Sequence, residues 1–288
     1  MNTTVTQRTE APLSDGEIDF FWWFIQGSLM NADVRARLHA HWGLCPRHSL
    51  AFFVVESSFR PHLIHGCTIL YSELMRRAVT HLSNEGFHSL VPDRLALHFL
   101  RTSGPCHVCD LGYGPHSPGN APPERLEQGR NATSAIHFAS ENCSGWRPYV
   151  CGVCSGNGSP ALCRPHFVAA TEDDAGKCTA SQRELVKRVA SHLDRFDNSF
   201  RWEQRGTDTS EDRGALIAAI GWCNGWSNLL NGPLRDLNVS LPDGTTDDSA
   251  GKCYSGGVDT ARSMAGFTPQ ENPMGTDQPS RRTSHDQT

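Results

Sequence analysis

Apolar residues recur at helical steps through roughly the first 230 positions of the chain and then stop. Ile18, Phe21, Trp22, Ile25 and Leu29 fall three and four residues apart, which gathers them on one helix face. Ser14-x-x-Glu17, just ahead, has the form of a capping box and predicts the helix start. Asn31 predicts the cap of a second helix carrying Val34 and Leu38, with Gly43 as its stop. A third helix begins at Pro46 and presents Leu50, Phe53 and Val54. Pro61 ends that helix or opens the next, because proline fits a first turn and not an interior. Leu63, Cys67, Leu70 and Leu74 form the stripe of the fourth, which should end near Leu82, before Asn84-Glu-Gly86. Later, Ser181-x-x-Glu184 predicts a capped helix with Leu185, Val189, Leu193 and Phe196 inward. After a polar break at 206–210, Leu216, Ile217 and Ile220 mark a last helix ending near Gly225-Trp226.

Three stretches break this pattern. Residues 1–15 are polar and read as a disordered N-terminus. Residues 110–133 carry Gly112, Gly114, Pro115, Pro118, Gly119, Pro122 and Pro123, so a loop insertion is expected over about 110–148. So long a loop must be tied at its ends in a compact domain. From 231 to 288 Gly, Asp, Ser, Thr and Pro dominate, with too few large apolar residues to offset the entropy of ordering. That stretch reads as a disordered tail, in which Cys253-Tyr254 stands alone as a feature for a partner to recognise. The ordered part, 16–230, reads as one mostly α-helical bundle with an irregular Gly/Pro-rich middle.

Four short clusters interrupt the helices: Cys45-Pro-Arg-His48, Cys106-His-Val-Cys109, Cys151-Gly-Val-Cys154 and Cys163-Arg-Pro-His166. Together they supply eight ligands, enough to close two tetrahedral Cys₃His sites, and zinc is the ion this donor set suits. Two zinc ions are therefore expected. Cys151, Cys154, Cys163 and His166 are close in sequence, and closing a short loop costs less entropy, which favours a local knuckle. Cys45, His48, Cys106 and Cys109 would then form the other site. The crossed pairing, with Cys106 and Cys109 joined to Cys163 and His166, is penalised only slightly and stays open. Isolated Cys67, Cys143, Cys178 and Cys223 read as small buried hydrophobes. His62, His65, His81, His98 and His192 lack ligand spacing and read as structural.

Charge and composition narrow the chemistry. The chain has 288 residues, a mass of 31.7 kDa and a formal net charge of −5, so no whole-chain field draws it to nucleic acid or an anionic membrane. Phe20-Phe-Trp-Trp-Phe-Ile25 is too short to span a bilayer, and the first residues lack the pattern of an export signal. A cytoplasmic location follows, where such cysteines serve as metal or redox groups.

Four protein ligands leave no seat for water, so zinc in such a site is expected to be structural. Pro105-Cys-x-x-Cys109 matches half of a zinc-deaminase signature, but no upstream histidine has Glu two residues on. No Gly-rich phosphate loop, nucleophile elbow or H-E-x-x-H appears.

Several of these segments resemble a bacterial family known as domain of unknown function 6062. They are Asn31-Ala-Asp-Val-Arg-Ala-Arg-Leu38, Gly43-Leu-Cys-Pro-Arg-His48, Ile69-Leu-Tyr-Ser-Glu-Leu74, Pro105-Cys-His-Val-Cys109 and Leu162-Cys-Arg-Pro-His166. Phe196-Asp-x-x-Phe200-Arg-Trp and Glu211-x-x-x-Ala215 add to them, so the resemblance covers about 17–230. It implies a helical fold and a metal, and no reaction. The family pattern repeats a C-x-x-C, a helical pair and a G-[LF]-C-x-x-H. Here the first C-x-x-C is missing, with Ser14–Asp19 in its place, and an additional one stands at 151–154. If that later pair supplies Cys45 and His48, the resemblance implies the crossed scheme.

The expected role is a binding or scaffold protein acting on another protein, rather than an enzyme. One alternative is a zinc- or redox-responsive regulator or metalloenzyme with a labile cluster, using Cys143 as an exchanging thiol or Asp110 near the metal. A second is nucleic-acid binding through the 151–166 knuckle and its Arg147 and Arg164, against which the acidic balance argues.

Overall fold

Side-chain caps set several of the helix boundaries. The computed structural model describes residues 12–82, 97–173, 179–235 and 237, all within one compact unit. Helix α1 (Asp15–Phe24) opens on the expected capping box: Glu17 N donates to Ser14 Oγ at 3.2 Å and Ser14 N to Glu17 Oε2 at 2.8 Å. Ile18, Phe21 and Phe24 are buried along it, Ile25 is buried at its C-cap, and Leu29 follows on a short 3₁₀ turn (Ser28–Met30). Asn31 caps α2 (Ala32–His41), its Oδ1 accepting from Asp33 N at 2.9 Å and Val34 N at 3.2 Å.

The turn out of α2 is unusual. Trp42, not a glycine, adopts the left-handed conformation at φ 62°, and Gly43 follows at φ 96°. A β-carbon makes that backbone costly by about 1–2 kcal/mol. The indole offsets it: Trp42 is fully buried, donates to Phe99 O at 3.1 Å, and has the guanidinium groups of Arg77 and Arg164 over its ring at 4.3 and 5.4 Å.

Helix α3 (Pro46–Phe59) is buried on more than one stripe, with Ala51 through Val55 all inward and Leu50 only partly covered. From α3, the buried Glu56 carboxylate accepts Gly66 N at 2.6 Å and Cys67 N at 2.7 Å, capping α4 (His65–Leu82) across the bundle. That helix starts after Leu63, which is left half-exposed instead of heading the inward stripe. Helices α10 (Thr179–Asn198) and α11 (Ser210–Asn224) pack on α4; Val186, Val189 and Leu193 are buried on α10, and Leu74, Met75 and Ala78 on α4. Asn224 Nδ2 ties α11 to α4 by donating to the Tyr71 hydroxyl at 2.9 Å.

The middle of the chain departs from expectation. Helices α6 (Pro123–Arg130) and α7 (Thr133–Glu141) occupy much of the anticipated 110–148 loop. Pro122 and Pro123 start a helix rather than prolong a loop, since proline's missing N–H is not needed there. Gly129 serves close packing: a Cβ on it would come 2.3 Å from Ile18 Cγ2 of α1. The irregular part shrinks to about 111–122 and is laid against α1, with Gly16 N donating to Ser117 O at 2.9 Å and Ser14 Oγ to Gly114 O at 2.7 Å.

Two boundaries also shift. Ser181 lies inside α10 and does not cap it, whereas Thr209 and Asp212 form a capping box on α11 that uses Asp in place of Glu. At the chain ends, Leu13 packs on the core and Asp15 is helical, while Leu234 and Leu237 are buried beyond the short α12 (Ser227–Asn231). The packed unit therefore extends past the expected limits of 16 and 230. The expectations for residues 1–11, Asn84-Glu-Gly86, Cys178, Cys253-Tyr254 and the tail from 238 lie outside the described residues. Among the described residues there is no strand, and no helix is long and apolar enough to cross a membrane.

Candidate metal centres

One local device builds three of the ligand pairs. Cys45, Cys106 and Cys151 each occupy the N-cap of a helix: α3, α5 (His107–Asp110) and α8 (Gly152–Ser155). The fourth pair has the same backbone signature, Phe167 N donating to Cys163 O at 2.8 Å at the start of α9 (Arg164–Asp173). Matching bonds return from Ser49 N to Cys45 O at 2.9 Å, Asp110 N to Cys106 O at 2.9 Å and Ser155 N to Cys151 O at 3.0 Å. A cap residue and the third residue of the first turn lie on one side of the helix start. That is why two intervening residues suffice, and why the sulfurs meet the positive end of each turn.

The eight residues converge as two groups: Cys45, His48, Cys106 and Cys109 in centre 1, and Cys151, Cys154, Cys163 and His166 in centre 2. The ligand atoms of each group all lie within 4.8 Å of one another. In centre 1, His48 Nδ1 is 3.2 Å from Cys45 Sγ, 3.5 Å from Cys106 Sγ and 3.3 Å from Cys109 Sγ. In centre 2, His166 Nδ1 is 3.4 Å from both Cys151 Sγ and Cys154 Sγ and 3.2 Å from Cys163 Sγ. One sulfur–sulfur edge in each, Cys45–Cys109 and Cys154–Cys163, measures 3.8 Å.

These edges can be tested against a coordination shell. A tetrahedron with metal–sulfur bonds of about 2.3 Å and a metal–nitrogen bond of about 2.0 Å has S–S edges of about 3.8 Å and N–S edges of about 3.5 Å. Both centres fit. Disulfides would need about 2.05 Å between sulfurs. The grouping follows the local scheme, and the crossed scheme that the family resemblance implied is not what the chain forms.

Electrostatics within each centre points to a cation. Cys106 is pulled down to about 3, chiefly by the hydrogen bond from the Cys45 thiol, and Cys45 is pushed up by the same bond and then by burial. Cys109 is raised, first by burial and then by the Cys106 charge. In centre 2, Cys151 is lowered by hydrogen bonds from Cys154 and Cys163, and both of those are raised by that same contact with Cys151. Like charges so close cannot all form unaided. A divalent ion would convert the protonated thiols to thiolates, and its binding would release protons.

The histidines are held differently. His48 is buried, and its Nε2 lies 3.2 Å from Oε1 of the fully buried Glu17, off the line of an ideal hydrogen bond. Arg47 clamps that carboxylate with Nε to Oε1 at 2.6 Å and Nη2 to Oε2 at 2.7 Å. Burial works against a charge on Glu17, but His48, Arg47 and the Ser14 amide outweigh it and hold the carboxyl well below its usual range. Glu17 reads in the sequence only as half of a capping box; its contact with a ligand 31 positions away has no local signature. His166 is half-buried.

The other candidate groups have structural partners. Arg164 is buried, donating to Cys223 O at 2.9 Å and Leu100 O at 2.7 Å, and Arg147 donates to Leu237 O at 3.2 Å. Asp110 lies beside Cys109 and accepts from Arg37 at 2.8 Å. Cys67 and Cys223 are buried free thiols, as expected. Cys143 is buried but disulfide-bonded, which corrects its reading as a free hydrophobe or exchanging thiol. The His65 ring packs tilted against Phe200 at 4.6 Å, His81 stacks on Phe99, and His192 meets Asp212 at 2.8 Å. No family model, curated protein or solved structure matches this chain.

Proposed function

We propose that the chain is a cytoplasmic zinc-binding protein whose two ions are mainly structural and whose role is to bind or scaffold another protein. The supporting observation is that each Cys₃His group gathers four protein ligand atoms within 4.8 Å, with one S–S edge and three N–S edges near those of a closed zinc tetrahedron. A shell without an open position offers no seat for an activated water. Zinc is favoured over harder cations because three of four donors are thiolates. Knuckle arginines turned inward leave the nucleic-acid alternative without its contacts.

Elemental analysis of the purified chain tests the reading, with two zinc ions per chain expected. Stripping them with a chelator should lower the thermal midpoint by more than ten degrees. Each site contributes about 4 kcal/mol when free zinc is a thousand times its Kd, and each kcal/mol is worth roughly 2–4 °C in a domain of this size. A folded preparation without metal and an unchanged midpoint after chelation would rule it out. A zinc-responsive regulator is the second reading, favoured by one feature, the exposure of Cys109. Release of zinc by mild peroxide, with reversible loss of centre 1 alone, would select it.

A further inference from the structure

Centre 1 has a buried carboxylate behind its histidine, and centre 2 shows none among the described residues. We infer that Glu17 is the positioning residue of centre 1: through His48 Nε2 it sets the imidazole so that Nδ1 faces the ion, and it couples the metal to the seat of α1. The assignment rests on the metal reading above and deepens it.

Three observations carry it. His48 Nε2 is closed off from solvent, so the proton it carries when Nδ1 serves as ligand needs an internal acceptor; Glu17 Oε1, at 3.2 Å, is in place to accept it. Glu17 is itself fully buried and held by three donors, two from Arg47 and one from Ser14 N, so it cannot swing away without breaking the α1 cap. The same helix start carries the segment that follows Cys109: Ser14 Oγ and Gly16 N bond Gly114 O and Ser117 O. A Cβ on Gly16 would meet Pro118 O at 2.7 Å, and one on Gly119 would meet the Asp15 backbone at 2.5 Å. Both segments of centre 1 are therefore referenced to one turn of α1, Cys45–His48 through Glu17 and the chain after Cys109 through Ser14 and Gly16. A carboxylate behind a ligating imidazole fixes its tautomer and raises its basicity, and losing such a partner typically weakens metal affinity by about 10–100-fold.

The test is zinc affinity of the full chain by competition with a chromophoric chelator, reading the two centres separately. Glu17→Gln should weaken centre 1 by about 10–100-fold and leave centre 2 unchanged. Thr209→Ala, which removes the cap hydroxyl of α11, should leave both unchanged. In a His48→Cys background, where no imidazole remains to be oriented, Glu17→Gln should no longer change centre 1. If Glu17→Gln does not fold, Glu17→Asp withdraws the same charge by one methylene and gives the same reading. Wild-type affinity at centre 1 in Glu17→Gln or Glu17→Asp, or an equal loss in the His48→Cys background, overturns the assignment while leaving the metal reading intact. A wild-type chain that binds no zinc at centre 1 overturns both.

Discussion

Centre 1 joins ligands 58 to 64 residues apart across the loop between its two helix starts, whereas the corresponding separations in centre 2 are 9 to 15. Both reach the same polyhedron because both use helix N-termini to aim the sulfurs. What differs is the support. Centre 2 is a knuckle that closes on itself: Gly152 N donates to Ala161 O at 2.9 Å, and a Cβ on Gly152 would come 2.0 Å from Ser159 O. At the equivalent position of centre 1 stands His107, buried with its ring 6.3 Å from that of Phe20. The comparison separates two uses of one motif. In centre 2 the ligand loop folds around the site, and in centre 1 the rest of the protein does.

Removing a ligand from each centre gives the largest expected effect. Cys106→Ser and Cys163→Ser should each cost several kcal/mol at saturating zinc, on the scale of about 4 kcal/mol per site. Cys106→Ser should cost more. An ion stabilises the fold only by the excess of its affinity for the folded chain over the unfolded one, and the unfolded chain regathers nearby ligands more readily. With separations of 58 against 9 residues, loop closure makes that regathering about 1.6 kcal/mol harder for centre 1. Denaturant unfolding of both variants against wild type measures the gap. An equal loss, or a larger one for Cys163→Ser, would mean that the two centres do not differ in this way.

The second comparison tests the knuckle itself. Gly152→Ala should destabilise by about 1–3 kcal/mol, because the new methyl meets backbone rather than a movable side chain. It should also weaken zinc binding at centre 2 alone. His107→Ala alters the matching position of centre 1 without any new clash, and centre 1 should keep its zinc affinity. Titration of each variant with a competing chelator decides the matter. Tight zinc at centre 2 in Gly152→Ala would show that the knuckle can open without consequence.

How much of this was legible in the sequence depended on how local the cause was. The eight candidate ligands could be picked out because coordination fixes both residue type and spacing, and a two-residue spacer is what one helix turn requires. Ser14, Asn31 and Gly225 marked helix ends correctly because a cap acts within four residues. The 110–148 stretch misled because the same residues serve two purposes. Pro123 begins α6, and Gly129 allows Ile18 to approach, a need created by a helix a hundred residues earlier. Ser181 imitates a cap inside α10. Trp42 in a left-handed turn, and Glu17 behind His48, depend on contacts that no window of the sequence contains. The local pairing could be favoured on loop entropy but not decided, since the difference involved is under about 2 kcal/mol.

The smallest expected effect concerns rate rather than stability, and it runs opposite to the first. Cys109 is exposed, while Cys151 and Cys163 are buried and Cys154 is half-covered. A chelator can therefore approach centre 1 through a ligand already at the surface, whereas centre 2 must open first. Zinc release to excess chelator should be biphasic, with the faster phase belonging to centre 1. A few-fold difference in rate, on the order of 0.7 kcal/mol in barrier, is enough to resolve the phases. Cys106→Ser should abolish the fast phase and leave the slow one. A single phase, or a fast phase that survives in Cys106→Ser, would break the contrast. Depth of coupling to the fold sets how much stability an ion contributes, and exposure of its outermost ligand sets how quickly it leaves. Centre 1 combines the deeper coupling with the more exposed ligand, so its ion should matter most to the fold and be the first to go.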